Sequence, residues 1–295
     1  MSKRGEKERK RERVSEVKAM SNSVKRVNNN KRPCALVFGD SITQFGEVYY
    51  EEGLLVATIA AGWISLLRNR FARRFDIMNR GYSGYNSRWA VCIADRVFTA
   101  EEYVFVTIFF GANDAANGKQ NPKQSVPVEE YRRNIRDIVT LAKRKTKHVI
   151  VIAPPPVDSR IWVDRSNESV EQFARAAMEV AKAEGCDFIN LYDKMTKSRH
   201  HPFTFLSDGL HLNAKGQIFL AKEIIECVDR RQRSGDTSAV PSTPFFDTAT
   251  DRESNIALDF PSWRAVSNDE PAKSLSYPHQ PSSSELSVTH TEPDA

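Results

Sequence analysis

Five short apolar runs recur in the middle of the chain, and segments with helical spacing separate them. The run from Tyr103 to Phe110 is almost entirely apolar or β-branched, which is typical of a strand buried on both faces of a sheet. Strands that alternate with helices form parallel sheets with helices on both faces. We therefore predict an α/β fold, a three-layer α/β/α sandwich with a five-stranded parallel sheet. The predicted strands are Cys34–Phe38, Phe75–Met78, Tyr103–Phe110, His148–Ala153 and Cys186–Leu191.

Four helices are predicted between and after these strands. The first covers about Ala57 to Phe75, and its large aromatic side chains are expected in the core rather than in an acyl pocket. The second follows Pro127, and the third ends at Gly185, a residue type that favours helix ends. Asn213 is a suitable cap for the last helix.

Composition divides the 295 residues into three parts. Residues 1–32 are strongly basic, and residues 229–295 are acidic and rich in Ser, Thr and Pro. Neither end has enough apolar residues to form a core, so we expect both to be disordered. Residues 33–228 form the predicted folded domain, because this segment is long enough for one well-buried core. The basic cluster from Arg9 to Arg11 leaves a nuclear signal open, but no aromatic residues interleave these charges and we do not expect nucleic-acid binding.

The cysteines and the apolar segments predict the compartment. The four cysteines are widely spaced without a C-x-x-C pair, so we expect free, buried thiols in a reducing compartment. The stretch from Leu54 to Leu67 is shorter than the ~18 residues that a membrane span requires. The N-terminus has no apolar core typical of a secretory signal. We predict a cytoplasmic protein without a membrane span, and a nuclear location stays open.

Five residues that can take part in a reaction follow the predicted strands. Ser41 follows the first strand, Gly84 the second and Asn113 the third, while Asp208 and His211 lie between the fifth strand and the last helix. The carboxyl ends of parallel strands meet at one edge of the sheet, where open α/β folds bind their ligands. We therefore expect these residues to lie close together.

Their chemical types suit acyl transfer. A serine nucleophile needs a base, and His211 can serve as that base for Ser41. Asp208 can accept the other imidazole N–H and fix the tautomer. The N–H groups of Ser41 and Gly84 and the amide of Asn113 can stabilise an oxyanion. The alternative interpretation is that Asn113 and Asp208 only form turns with the residues that follow them.

The sequence resembles a known family at these residues. Four motifs, in the order Gly-Asp-Ser-Ile-Thr, Gly-Tyr-Ser-Gly, Gly-Ala-Asn-Asp and Asp-Gly-Leu-His, are similar to the four blocks of the SGNH, or GDSL-type, esterases and lipases. The segments 79–86 and 110–115 look closest to the isoamyl acetate-hydrolysing esterase branch. This resemblance implies a flavodoxin-like sheet, a Ser41-His211-Asp208 triad, an oxyanion hole of Ser41, Gly84 and Asn113, no metal and no cofactor.

We therefore predict a serine esterase that hydrolyses small acyl esters through an acyl-enzyme, with a small-molecule ester as its only expected partner. One alternative is a flavin- or phosphate-binding module without hydrolase activity, because the same sheet edge binds phosphates. A catalytically idle scaffold is another. Asp40 is expected to bind backbone amides rather than to act as an acid. His200 and His201 can compete as a base or a metal pair, but adjacent side chains on a strand point apart. Nothing in the sequence indicates the acyl length or the oligomeric state.

Overall fold

The computed structural model describes residues 32–51 and 58–233. The predictions of disorder for 1–31 and for 234–295 concern residues outside this part, as does the basic cluster. The strands are β1 Cys34–Gly39, β2 Val48–Glu51, β3 Thr58–Ala61, β4 Asp76–Gly81, β5 Val106–Phe109, β6 Val149–Ile152 and β7 Asp187–Ile189. The helices are α1 Ser41–Gln44, α2 Trp63–Phe71, α3 Ser87–Val97, α4 Val128–Lys143, α5 Asn167–Ala183, α6 Leu191–Thr196 and α7 Ala214–Arg233, with a 3₁₀ helix over Pro202–Phe205.

A five-stranded parallel sheet forms the centre of the fold, in the order β4-β1-β5-β6-β7. Helices α3, α4 and α5 contact one another in that order, and α2 contacts α7, so the helices form two separate layers. Residues 35–38 of β1 have no solvent exposure, because this strand has a neighbour on each side and is covered from both faces. The predicted three-layer α/β/α fold with five parallel strands is confirmed.

The first predicted helix starts too early and ends too late. Residues 58–61 form β3, which pairs antiparallel with β2 in a separate hairpin, and α2 begins only at Trp63. A Cβ at Gly62 would overlap the carbonyl of Gly46, so the chain passes too close at this point for an uninterrupted helix. After Phe71 the chain turns, and β4 runs from Asp76 to Gly81 instead of ending at Met78. The aromatic residues Trp63, Phe71 and Phe75 are buried, as predicted.

Two further differences concern helices. Helix α3 is absent from the sequence prediction, although Asn86 caps it by accepting a hydrogen bond from the Trp89 N–H at 3.0 Å. Helix α7 continues to Arg233, past the predicted boundary at Val228. Ion pairs hold these last turns, because Asp229 pairs with Arg70 at 3.2 Å and Arg231 pairs with Asp187 at 2.8 Å.

Helix caps agree with the sequence prediction. Asn213 Oδ1 accepts a hydrogen bond from the Gly216 N–H at 3.1 Å, at the start of α7. Gly185 follows α5 with φ +64°, a left-handed conformation that favours glycine.

All four cysteines are free, but only Cys227 is buried. Cys92 is exposed on α3, and Cys34 and Cys186 are half-buried, so the prediction of uniformly buried thiols is wrong. Both half-buried cysteines lie at or beside the start of a sheet strand, where the covering helices leave part of the side chain accessible. No helix within residues 32–51 and 58–233 is long and apolar enough to span a membrane.

The end of β4 packs directly against α1, the helix that begins with Ser41. A Cβ at Gly81 would overlap the backbone nitrogen of Gln44. At this position the side chain must therefore be a hydrogen atom, because the obstacle is backbone that cannot rotate away. The contact fixes the height of α1 over the sheet.

We predict that Gly81→Ala lowers the free energy of unfolding by about 1–3 kcal/mol, as overpacking at a rigid contact does. Urea denaturation measures the change. Gly118→Ala is the matched control, because its Cβ would meet only Ser125 Oγ at 3.4 Å. Equal denaturation midpoints for the two variants would contradict the close contact.

Candidate active site

Ser41 lies at the carboxyl end of β1, as the first residue of the short helix α1. Asp40 caps this helix, because its Oδ1 accepts a hydrogen bond from the Ile42 N–H at 2.9 Å. The carboxylate therefore binds a backbone amide of the serine loop, which is the structural contact predicted for Asp40. The cap holds Ser41 at the start of this helix, where the residue is buried.

His211 bridges Ser41 and Asp208. Its Nε2 is 2.9 Å from Ser41 Oγ, and its Nδ1 is 2.7 Å from Asp208 Oδ2. The structure therefore brings together three residues that the sequence places at two distant ends of the domain. A carboxylate can only accept, so Nδ1 carries the proton toward Asp208 and Nε2 presents its lone pair to the hydroxyl.

Asp208 is held by its own turn. Its Oδ1 accepts hydrogen bonds from the N–H groups of Leu210 at 3.0 Å and His211 at 2.8 Å. Partial burial raises the pKa of Asp208, but hydrogen bonds from the side chain and the backbone of His211 outweigh burial and lower the pKa to about 2. Asp208 therefore stays ionised throughout the neutral range. One carboxylate oxygen of Asp208 therefore holds its turn, and the other contacts the imidazole of His211.

Two aromatic rings flank the imidazole of His211. Phe45 and Trp162 each place their ring centroid 6.3 Å from that of His211, in edge-on arrangements. Trp162 Nε1 also donates a hydrogen bond to the carbonyl of Asp208 at 2.9 Å. The rings restrict the movement of the imidazole and give the mouth of the site an apolar surface.

Gly84 lies in the loop after β4, with φ +76°. A Cβ there would meet no protein atom nearer than Gln124 Nε2 at 3.6 Å, so the left-handed backbone, and not lack of room among protein atoms, favours glycine. The loop is tied to the serine loop, because the Tyr82 N–H donates to the carbonyl of Gly39 at 2.8 Å.

Asn113 follows β5 and is buried beside the Gly84 loop. Its Nδ2 donates to the carbonyl of Tyr85 at 2.9 Å. Its Oδ1 accepts from Gln124 Nε2 at 3.1 Å and from Arg165 Nη2 at 3.3 Å. The side chain is therefore fixed at both ends, and one N–H of its amide group is not used by Tyr85.

The backbone N–H groups of Ser41 and Gly84 donate no hydrogen bond to any atom of residues 32–51 and 58–233. Orphan N–H groups at the start of a helix or in a glycine turn are ready donors for an anion. Together with Asn113 they supply three donors on three neighbouring loops, which follow β1, β4 and β5.

Two buried carboxyl groups lie behind the serine. Burial raises the pKa of Asp40 to about 7, and the charge of Asp114 adds to this shift, while the Ile42 N–H, His211 and Arg165 oppose it. Burial also raises the pKa of Asp114 to about 6, although hydrogen bonds from Ser87 lower it. Both groups therefore bind a proton more tightly in the folded chain than in the unfolded chain.

We predict that Asp40→Asn reduces the pH dependence of stability between about pH 4 and pH 7. An unfolded Asp titrates near pH ~3.9, so in this window the folded chain keeps a proton that the unfolded chain has lost. Wild-type stability therefore falls as the pH rises through the window and levels off above it. The asparagine keeps the oxygen that caps α1 but cannot ionise.

Thermal unfolding midpoints at several pH values between 4 and 8 measure this effect. Asp95→Asn, which removes an exposed carboxylate of α3, is the control for the change in net charge. A wild-type and an Asp40→Asn curve that stay parallel across the window would contradict the raised pKa of Asp40.

His200 and His201 lie on the surface and do not join the triad. His201 Nδ1 accepts a hydrogen bond from the Phe203 N–H at 3.4 Å and so caps the 3₁₀ helix. The part of the chain that the structure describes holds no group of three or more His, Cys, Asp or Glu residues suited to a metal ion.

Three residues of this site are absent from the sequence prediction: Gln124, Trp162 and Arg165. Gln124 and Arg165 hold the oxygen of the Asn113 amide, and Trp162 holds the carbonyl of Asp208. All three lie in segments without regular secondary structure, where a polar or aromatic residue gives no periodic signal.

Known proteins share both the sequence motifs and the fold. Residues 37–217 match the GDSL-like lipase/acylhydrolase family. The isoamyl acetate-hydrolyzing esterase 1 homolog of Mus musculus is 39% identical over 219 residues, covering 68% of this chain and 84% of the mouse protein. The isoamyl acetate-hydrolyzing esterase of Saccharomyces cerevisiae is 32% identical over 209 residues, covering 66% of this chain and 85% of the yeast protein. This chain belongs to the GDSL-like lipase/acylhydrolase family.

Solved structures agree with this assignment. The lipase/acylhydrolase from Enterococcus faecalis superimposes with a TM-score of 0.56 at 26% identity, covering 68% of this chain and 96% of that chain. Axe2, an acetylxylan esterase from Geobacillus stearothermophilus, has the same fold with a TM-score of 0.53 at 21% identity, covering 66% of this chain and 94% of its own. The predicted family is confirmed, and with it the general class of carboxylic ester hydrolase.

Proposed function

We propose that this chain is a serine esterase that hydrolyses small acetate-type esters through an acyl-enzyme intermediate. The observation that carries the proposal is the continuous path from Ser41 Oγ to His211 Nε2 at 2.9 Å and from His211 Nδ1 to Asp208 Oδ2 at 2.7 Å. A nucleophile, a base and an orienting carboxylate in hydrogen-bonding contact are the arrangement that activates a serine hydroxyl.

The proposed reaction begins with the hydroxyl of Ser41. His211 Nε2 takes its proton while Ser41 Oγ attacks the ester carbonyl carbon, and Asp208 stabilises the resulting imidazolium. The imidazolium then gives the proton to the leaving alcohol oxygen, and the C–O bond to the alcohol breaks. Water, activated by the same imidazole, attacks the acyl-serine and releases the carboxylic acid.

The proposed oxyanion hole consists of the N–H groups of Ser41 and Gly84 and the amide of Asn113. The support is that both backbone donors have no partner among the described residues, while one N–H of the Asn113 amide is not used by Tyr85. Donors fixed before the reaction stabilise the negative charge without a reorganisation cost.

The proposed substrate class is an acetate ester of a small apolar alcohol. Trp162 and Phe45 both lie beside His211, and Phe45 is 52% exposed. Ile161 and Val163, the neighbours of Trp162 in the chain, are 62% and 72% exposed. Apolar walls suit an alkyl group better than a sugar, and the mouse and yeast relatives are named for isoamyl acetate.

Two further expectations accompany this function. Residues 33–228 are the proposed hydrolase domain, with the basic and acidic ends as accessory segments. The four free cysteines support a reducing compartment, for which we propose the cytoplasm. Family membership favours the hydrolase over a flavin- or phosphate-binding module.

We predict that Ser41→Ala lowers kcat for p-nitrophenyl acetate by at least about 10⁴-fold, since removing a triad nucleophile leaves only the residual catalysis of binding and donors. A serine-reactive phosphonate should label the wild type at Ser41 and leave the variant unlabelled. A series of p-nitrophenyl esters with longer acyl chains then measures the length of the acyl group that the site accepts.

Ser65→Ala is the control, because this half-buried hydroxyl of α2 binds the Glu47 carbonyl away from the triad. Undiminished hydrolysis by the folded Ser41→Ala variant would remove Ser41 from the mechanism.

We predict that Asn113→Ala lowers kcat by about 10²–10³-fold while KM changes little, because the oxyanion exists only near the transition state. Steady-state kinetics with p-nitrophenyl acetate separate the two constants, and thermal unfolding verifies that the variant is folded. An increase in KM at unchanged kcat would contradict the role of Asn113.

A further inference from the structure

Arg165 lies in the loop after β6 with a side chain that is 1% exposed. A buried arginine requires partners for all its donors. Its Nε donates to the Ala112 carbonyl at 3.0 Å, and its Nη1 pairs with Asp164 at 2.7 Å. Its Nη2 donates to Gln124 Oε1 at 2.8 Å and to Asn113 Oδ1 at 3.3 Å. The guanidinium therefore lies directly behind the proposed oxyanion donor.

A guanidinium has donors only, so each amide that faces it must present its oxygen. This condition fixes Asn113 with Oδ1 toward Arg165 and Nδ2 on the opposite side, where it binds the Tyr85 carbonyl at 2.9 Å. A flipped Asn113 would place its NH₂ group against the cation and its oxygen where the negative charge of the transition state forms. The flipped amide would repel the oxyanion that it is expected to stabilise.

Gln124 extends the same constraint. Its Oε1 accepts from Arg165 at 2.8 Å and from Asn121 Nδ2 at 2.9 Å, which leaves only its Nε2 to face the site. That Nε2 donates to Asn113 Oδ1 at 3.1 Å and to the Gly84 carbonyl at 3.2 Å. One guanidinium thus sets the orientation of two side-chain amides and, through them, of the glycine loop.

We propose that Arg165 and Gln124 are positioning residues that hold the Asn113 amide in the orientation that donates to the oxyanion. The inference rests on the proposed function, because it matters only if Asn113 stabilises a transition state. The guanidinium is buried, and the polar atoms of Gln124 are engaged by Arg165, Asn121, Asn113 and Gly84. Their effect on the reaction passes through Asn113.

The test uses the full chain with Arg165→Met and Gln124→Glu. The methionine removes every donor of the guanidinium and leaves Gln124 Nε2 as the donor to Asn113 Oδ1. The glutamate keeps the oxygen that binds Arg165, but it places a second oxygen instead of an N–H group against Asn113 Oδ1. It therefore replaces an attractive contact with a repulsive one and leaves no cavity. We expect each variant to lower kcat for p-nitrophenyl acetate by about 10-fold or more, with KM within about threefold of the wild type.

A double-mutant cycle separates positioning from general support of the fold. In an Asn113→Ala background there is no amide left to orient, so adding Arg165→Met or Gln124→Glu should change kcat by less than about twofold. If either residue acts by stabilising the loops generally, its loss should reduce kcat by the same factor in both backgrounds. That multiplicative result would overturn the inference.

Arg231→Met is the matched control, because it removes another arginine whose partner, Asp187, lies at the start of β7 rather than at the strand ends. We expect it to alter the unfolding midpoint but not kcat. If Arg165→Met does not fold, Gln124→Glu alone decides between the two outcomes. Full activity of folded Gln124→Glu, with Asn113→Ala impaired, would overturn this inference and leave the esterase function intact. A wild type without esterase activity would overturn both.

Discussion

The hydrogen bond between Ser41 and His211 joins two segments that are 170 residues apart in the sequence. No local structure can bring them together, so the contact depends on the parallel sheet. In that sheet the carboxyl ends of β4, β1 and β5 are neighbours, which places Gly84, Ser41 and Asn113 on adjacent loops. The turn that carries Asp208 and His211 then needs only to reach the same edge.

The sequence was sufficient to predict the sheet and the proximity of Ser41, His211 and Asp208, because these rest on strong local signals. Apolar runs of strand length specify β1, β5 and β6, and polar residues at their ends mark the ligand-binding edge. The hairpin of β2 and β3 was missed, because its apolar residues merge with those of α2 in the sequence. Only the close approach of Gly62 to Gly46, a contact between separate segments, divides the two elements.

The contacts of Arg165 and Gln124 with the Asn113 amide could not be predicted from the sequence, for a different reason. An arginine in a loop is usually exposed, and nothing next to Arg165 in the sequence indicates burial. Its partners Ala112, Asn113 and Gln124 come from the separate segment between β5 and α4, so its environment exists only after the domain folds. The same is true of the raised pKa values of Asp40 and Asp114, which arise from burial and not from neighbours in the chain.

The loop after β6 carries buried and exposed side chains close together, which has a consequence for how its sequence can vary. The guanidinium of Arg165 lies 5.1 Å from the centroid of the Trp162 ring, while Ile161 and Val163 are exposed. Substitutions at the two exposed positions leave the hydrogen bonds of Trp162 and Arg165 in place. An inserted residue would instead displace Trp162 from Asp208 or Arg165 from Asn113, so this loop can vary by replacement more readily than by insertion.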